Sequence, residues 1–233
     1  MAVSPCIYFY CLLVSGMPIA EKYIAELEPG KVYHIYNRTN NKELLFRRTG
    51  DYLDFLKKIT RFLSPFLGIY CRNLLPNHFH ILAKLKEEEK IKHYLNTLTK
   101  KKPFERKYLK GEISFSELIE MEFKRFFISY SMGFNKRYGR KGNLFYRPFK
   151  RLRVTSAAHF TEAVIYIHAN ALKHGIVKDF TKYPWSSWHE LIGDSDCFIL
   201  KDDLIEWFGG LAEMIKAHMD LTQHYYETEV AIE

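Results

Sequence analysis

CRNLLPNHFHILAKL, residues 71–85, decides the fold. Pro76-Asn77 is a turn dipeptide, and on either side lies a short apolar run of strand length. Residues 66–74 and 79–85 therefore read as two strands joined tightly at Pro76-Asn77. Side chains alternate faces along a strand, so His78 and His80 project together while Phe79 and Ile81 point into a core. Two imidazoles at i and i+2 on one face can chelate one metal ion. A purely structural histidine pair is the competing reading.

Working outward, KVYHIYN (31–37) alternates and is rich in strand formers, and a polar loop, NRTNNK, follows at 37–42. Leu53, Phe55, Leu56, Ile59, Phe62 and Leu63 recur at helical spacing between Gly50 and Pro65. Residues 87–102 read as a charged helix, and KKPFERKYLKGE (101–112) as a mobile excursion. A long helix rich in Phe and Tyr spans 116–138 and stops at Gly139. Residues 143–154 supply a strand pair broken at Pro148. Ser156 caps a further helix that ends at His174-Gly175, and two or three short helices follow Pro184. Hairpin-linked strands with helical crossovers predict an α+β fold, an antiparallel sheet with helices packed on one face.

The composition bounds the function. The chain has 233 residues, of which 47% are hydrophobic and 27% charged, which excludes a disordered or collagen-like protein. The longest uncharged stretch, 1–20, holds prolines and polar residues and does not read as a membrane span. Net charge is +8 and the pI about 9.1, so an anionic partner is expected, nucleic acid before a membrane surface. The average conceals a split. Residues 194–233 carry ten acids against two lysines, a net of −8, which leaves +16 for residues 1–193. Residues 123–161 contain ten Lys or Arg and no acid, interleaved with Phe134, Tyr138, Phe145, Tyr146 and Phe149, as a nucleic-acid-binding face would be. The acidic tail is expected to pack beside the +16 body of residues 1–193 and limit nonspecific DNA binding. Cys6, Cys11, Cys71 and Cys197 lack metal-site spacing and fit a reducing cytoplasm. The N-terminus has no basic region ahead of its apolar run, so it does not read as a secretory signal. Translation from Met17 is the expectation, with 1–20 outside the core.

The second chemical constellation is TEAVIYIHANALKHG (161–175). Phe160, Ala163, Val164, Ile167 and Ala171 form the buried stripe of this helix. Tyr166 and Asn170 are one turn apart and about 40° from each other around the axis, at the border of that stripe. Asn is a poor helix former, so Asn170 asks for a side-chain role. His168 lies about 160° from Asn170 and cannot serve the same centre. Two neutral imidazoles and one amide oxygen form an incomplete coordination sphere with open positions, able to hold a metal that polarises a phosphate oxygen. A tyrosine beside that phosphorus is a nucleophile able to leave a phosphotyrosine and a free sugar hydroxyl.

With these pieces in place, the sequence resembles the single-tyrosine HUH transposases, in particular the REP-associated tyrosine transposase branch. The similarity runs in order through VYHIYNR (32–38), CRNLLPNHFHILAKL (71–85), FNKRYGRKGNLFYRPFKR (134–151) and YIHANALKHGIVKDFTKYPWSSWHEL (166–191). It implies metal ligands at His78, His80 and Asn170, a nucleophile at Tyr166, and Mg²⁺ or Mn²⁺ as the metal. It also implies a ferredoxin-like sheet with the HUH strand central. The implied activity is metal-dependent cleavage and strand transfer of single-stranded DNA, hairpin or palindromic, through a 5′-phosphotyrosine. With one tyrosine, the enzyme works as a monomer in successive reactions or as a homodimer. This sequence departs from the family where Ala171 follows Asn170 in place of proline, and where Thr39 follows Arg38 in place of glycine. Arg147, Lys150, Arg151 and Arg153 are candidate phosphate contacts, Phe145 and Tyr146 candidate base-stacking residues, and Arg38 and Arg72 further cations beside the site. The expected organisation is an N-terminal extension (1–20), a catalytic region (21–192) and an acidic helical C-terminal extension (193–233). Two rivals stand against a transposase: a nucleic-acid-binding protein that has lost catalysis, and a phosphodiesterase that uses water.

Overall fold

The computed structural model of the chain describes residues 23–193 and 198–227, with side chains to 222. The expected N-terminal extension, the Met1 or Met17 start, and Cys6, Cys11 and Cys197 lie outside the described residues. Cys71 is a buried free thiol whose pKa is raised by burial.

The hairpin read from residues 71–85 is present. Strands β2 (Leu67–Leu75) and β3 (His78–Leu85) pair antiparallel across the Pro76-Asn77 turn. Strand β1 (Val32–Arg38) pairs antiparallel with β3 on one side and with β4 (Lys150–Val154) on the other. The sheet order is β2-β3-β1-β4, so β1 and the HUH strand β3 are the two central strands. Helix α1 (Thr49–Phe62) links β1 to β2. Between β3 and β4 lie α2 (Glu88–Thr97), α3 (Pro103–Leu109) and the long α4 (Phe115–Tyr138). This is the β-α-β-β-α-β ferredoxin-like arrangement, elaborated in its second crossover.

Phe79 is fully buried against Phe55 of α1 and Phe127 of α4, with ring centroids 5.1 and 6.2 Å away. Those two helices cover one face of the sheet. Phe79 and Ile81 face this aromatic layer, so strand alternation sends His78 and His80 to the opposite face, where α5 (Ala157–Lys173) lies. Ser114 caps α4 by accepting from Glu117 N, Gly139 closes it with φ 61°, and Ser156 caps α5 by accepting from His159 N.

Three local expectations are corrected. Residues 103–109 form helix α3, held by buried Tyr108 and Glu105, where a mobile excursion was expected. The segment before β4 makes one isolated bridge, Thr39 to Phe145, in place of a first strand, because Phe145 and Phe149 turn inward onto Phe127 and Phe123. The C-terminal region holds a helix of 17 residues, α8 (Leu211–Glu227), besides the short α6 (Trp188–Ile192) and α7 (Lys201–Trp207). Leu204 and Met214 join the main buried cluster, and α8 packs on α5. Both sheet edges are covered: Ile24 bridges to Arg151 of β4, and Ile199 to Ile69 of β2. No helix among the described residues is long and apolar enough to cross a membrane.

Candidate active site

The α5 face of β1 and β3 carries a layer of rings. The register places Tyr36 opposite His80 and Arg38 opposite His78, so all four share one face, with His34 two residues before Tyr36. His80 stacks on Tyr36 with centroids 5.4 Å apart and meets His78 edge-on at 5.1 Å. His34 Nε2 and His80 Nδ1 are hydrogen-bonded at 2.9 Å, and His78 Nδ1 bonds Asn77 Oδ1 at 2.6 Å. Each of the two candidate metal-binding histidines thus has its Nδ1 engaged by a neighbour, and each has a buried Nε2. An imidazole oriented in this way presents its other nitrogen as the ligand.

Helix α5 supplies the opposite wall. Tyr166 sits edge-on to His80, with centroids 5.9 Å apart, and to His34 at 6.1 Å. Two turns further along, His174 meets His78 at 5.0 Å. Asn170 is one turn from each, so it falls on the strip of helix between these two contacts. It is fully buried, and among the described residues neither Nδ2 nor Oδ1 has a hydrogen-bond partner. A buried amide with both ends unpaired costs on the order of 1–3 kcal/mol for each missing bond, so Asn170 does not serve stability through its amide as the structure stands.

The charge state fits ligation. Burial holds the His80 pKa well below the ordinary imidazole value, and His34, His78, His174 and Lys173 push it further down. His80 is therefore neutral at pH 7, the form that coordinates a metal. Among the described residues no three His, Cys, Asp or Glu side chains are arranged to hold a metal, and a set of two imidazoles and one amide lies outside that pattern. The donors present fit a weakly held divalent ion that keeps positions open for substrate oxygen.

Four residues of the site went unassigned in the sequence. His34 and Tyr36 share the alternation of β1 with Arg38, which was a legible signal once β1 was known to neighbour β3. Lys173 and His174 follow Tyr166 by seven and eight residues, the spacing of one helix face. The Lys173 ammonium lies 5.0 Å from the Tyr166 ring centre.

The expected DNA contacts separate into two groups. Arg38, Tyr146, Arg147 and Lys150 are exposed, and the Arg38 guanidinium lies 4.9 Å over the Tyr146 ring. Tyr146 N–H also donates to the Arg38 carbonyl, so this pair adjoins the His78 end of the site. Arg153 is partly exposed and ion-paired with Glu28. The other three are corrected. Arg72 is 3% exposed, pairs with Glu190 and donates to the Trp185 carbonyl. Arg151 is 5% exposed, paired with Glu120 and bonded to the Ala25 carbonyl. Phe145 is buried in the α4 aromatic layer, where no base can stack on it.

No family model and no curated protein matches the chain. Among solved structures, a REP-associated tyrosine transposase bound to a REP hairpin is 18% identical with a TM-score of 0.48, the match covering 74% of this chain and 85% of that one. At this distance the likeness assigns no residue a role.

Proposed function

We propose that the chain cleaves and rejoins single-stranded DNA through a covalent phosphotyrosine at Tyr166. The observation that carries this reading is Asn170, a buried amide with both ends unpaired, on the strip of α5 between Tyr166 at His80 and His174 at His78. The motif resemblance names the same tyrosine, amide and histidine pair. His78, His80 and Asn170 would hold a divalent cation of the Mg²⁺ or Mn²⁺ kind, which would supply Lewis-acid polarisation of a phosphate oxygen.

The protein's own groups do the rest. Tyr166 Oη attacks the phosphorus; the Oη–P bond forms as the P–O3′ bond breaks. The proton lost from Oη is matched by one gained at the departing 3′ hydroxyl, leaving a 5′-phosphotyrosine. Lys173, beside the Tyr166 ring, offers a cation to the phosphate. His34 fixes the ring orientation of His80. Arg38, Tyr146, Arg147 and Lys150 form an exposed cationic and aromatic margin for the strand that leaves the site. Ala171 after Asn170 leaves the amide in regular helix, since α5 continues to Lys173.

The test is incubation with Mn²⁺ and a panel of labelled, hairpin-bearing single-stranded DNAs. A covalent adduct that is lost in Tyr166→Phe supports the proposal. Cleavage that persists in Tyr166→Phe but is lost in His78→Ala replaces it with water-based hydrolysis. Tight hairpin binding with no cleavage replaces it with a binding module.

A further inference from the structure

We propose that His218 on α8 is a positioning residue for the Tyr166 and Asn170 face of α5, so that the acidic C-terminal region is a working part of the site; this rests on the reading of that face given above.

The link is a chain of four hydrogen bonds whose directions follow from its end. His218 Nδ1 bonds the Met214 carbonyl at 2.7 Å, and a carbonyl can only accept, so Nδ1 carries the proton. His218 Nε2 is then an acceptor and takes Nδ1–H of His168 at 2.9 Å. His168 Nε2 accepts in turn from the Ser187 hydroxyl at 2.9 Å, and Ser187 Oγ accepts the Arg72 backbone N–H of β2 at 2.9 Å. Both imidazoles are fully buried, as is Ser187, and every donor and acceptor in the chain is used. Three elements distant in sequence (α8, the turn before α6, and β2) thus hold one side chain of α5.

That side chain is His168, midway between Tyr166 and Asn170 in sequence and on the other side of the helix. The catalytic face has a second hold: Asn73 Nδ2 of β2 donates to the Ile167 carbonyl at 2.8 Å. Asn73 holds the helix on its sheet side, and the His168–His218 bond adds a directional hold on the far side, opposing rotation about the helix axis. A roll of about 20° moves side chains at a radius of ~5–6 Å by about 2 Å, and a 1 Å misplacement of a reacting group can cost on the order of 100-fold in rate. The ring of His218 is itself held, with centroids of Trp188 at 4.8 Å, Phe208 at 5.7 Å and Phe180 at 6.2 Å. A spacer needing only bulk would be leucine. A histidine whose two nitrogens are both spent points to a required acceptor at Nε2.

The test compares His218→Gln, whose Oε1 can accept from His168 in place of Nε2, with His218→Leu, which fills the space and accepts nothing. Three readouts are taken on the full chain: hairpin-DNA affinity, the single-turnover rate of adduct formation with Mn²⁺, and amide exchange over 165–170. Expected are DNA affinities within twofold for both variants, an adduct rate at least tenfold slower in His218→Leu but within threefold of wild type in His218→Gln, and faster exchange at 165–170 in the leucine variant alone. Equal rates in the two variants, or unchanged exchange in His218→Leu, overturn the proposal. If wild-type protein gives no adduct with any hairpin, the reading of the site has failed, and the exchange comparison alone decides whether His218 holds α5.

Discussion

His34 and His80 are joined across neighbouring central strands by a 2.9 Å Nε2 to Nδ1 hydrogen bond, out of reach of bulk water. One side chain of β1 thereby sets which nitrogen His80 turns toward α5. Replacing His34 with alanine is expected to lower Mn²⁺ affinity and adduct rate by about 10–100-fold, the usual loss when a partner of a metal-binding histidine is removed. Mn²⁺ titration followed by electron paramagnetic resonance checks it. Unchanged affinity would show that His80 needs no such support.

Asn170→Leu separates stability from function. It replaces an unpaired buried amide with an apolar group of similar size, so thermal stability is expected to rise by about 1–3 kcal/mol while metal-dependent cleavage disappears. Denaturant unfolding and the adduct assay read the two effects. A destabilised leucine variant would mean that the amide has a partner in the folded protein.

The buried carboxyl of Glu122 titrates against the fold. Burial raises its pKa to about 7, outweighing the lowering by Arg125 and Lys102. The unfolded chain releases this proton at lower pH, so this contribution favours folding most at low pH and declines between pH 4.5 and 7. Glu122→Gln is expected to be the more stable by about 3 kcal/mol at pH 8, with the difference vanishing near pH 4. Arg125, 30% exposed, can turn to water in the variant. Urea unfolding at the two pH values measures the difference.

His218 has the opposite dependence. Burial lowers its pKa to about 4 from the ordinary 6.5, so the unfolded chain takes up the proton first as pH falls. Its contribution is present above pH 6.5 and lost progressively down to pH 4, about 3 kcal/mol in all. His168, also held low by burial, adds in the same direction. His218→Gln is expected to flatten the fall in unfolding free energy between pH 6.5 and 4, and equal slopes would refute the assignment.

Cations that look alike in the sequence are expected to behave differently. Arg147→Ala and Lys150→Ala each lower the slope of log affinity against log salt on single-stranded DNA by about 0.7 and leave stability unchanged. Arg72→Ala strands Glu190 and costs about 3–5 kcal/mol of stability. Thermal melts beside salt titrations distinguish the two classes. A stable Arg72→Ala protein with weakened DNA binding would return Arg72 to the DNA face.

Much of the fold was legible because its signals are local. Alternation in 78–85 put both histidines on one face, and helical spacing in 157–173 put Tyr166 beside Asn170. Ser114, Ser156 and Gly139 marked helix ends through bonds that span a few residues. Residues 101–112 defeated the same reasoning, because the charged surface of α3 conceals Tyr108 and Glu105, which are buried only by tertiary packing.

The sequence by itself determined the partition of charge and, outside 101–112 and 143–149, the main element types and the residues on each strand or helix face, which follow from periods of two and 3.6 residues. Only the tertiary structure decided which charges meet water. Arg72 is spent on Glu190, 118 residues away, and Arg151 on Glu120, while Arg147 and Lys150 stay exposed. Tertiary structure also brought His34, Lys173 and His174 to the site and laid α8 over the helix that carries Tyr166. Exposure depends on which distant segment packs over a residue, and no local period records that.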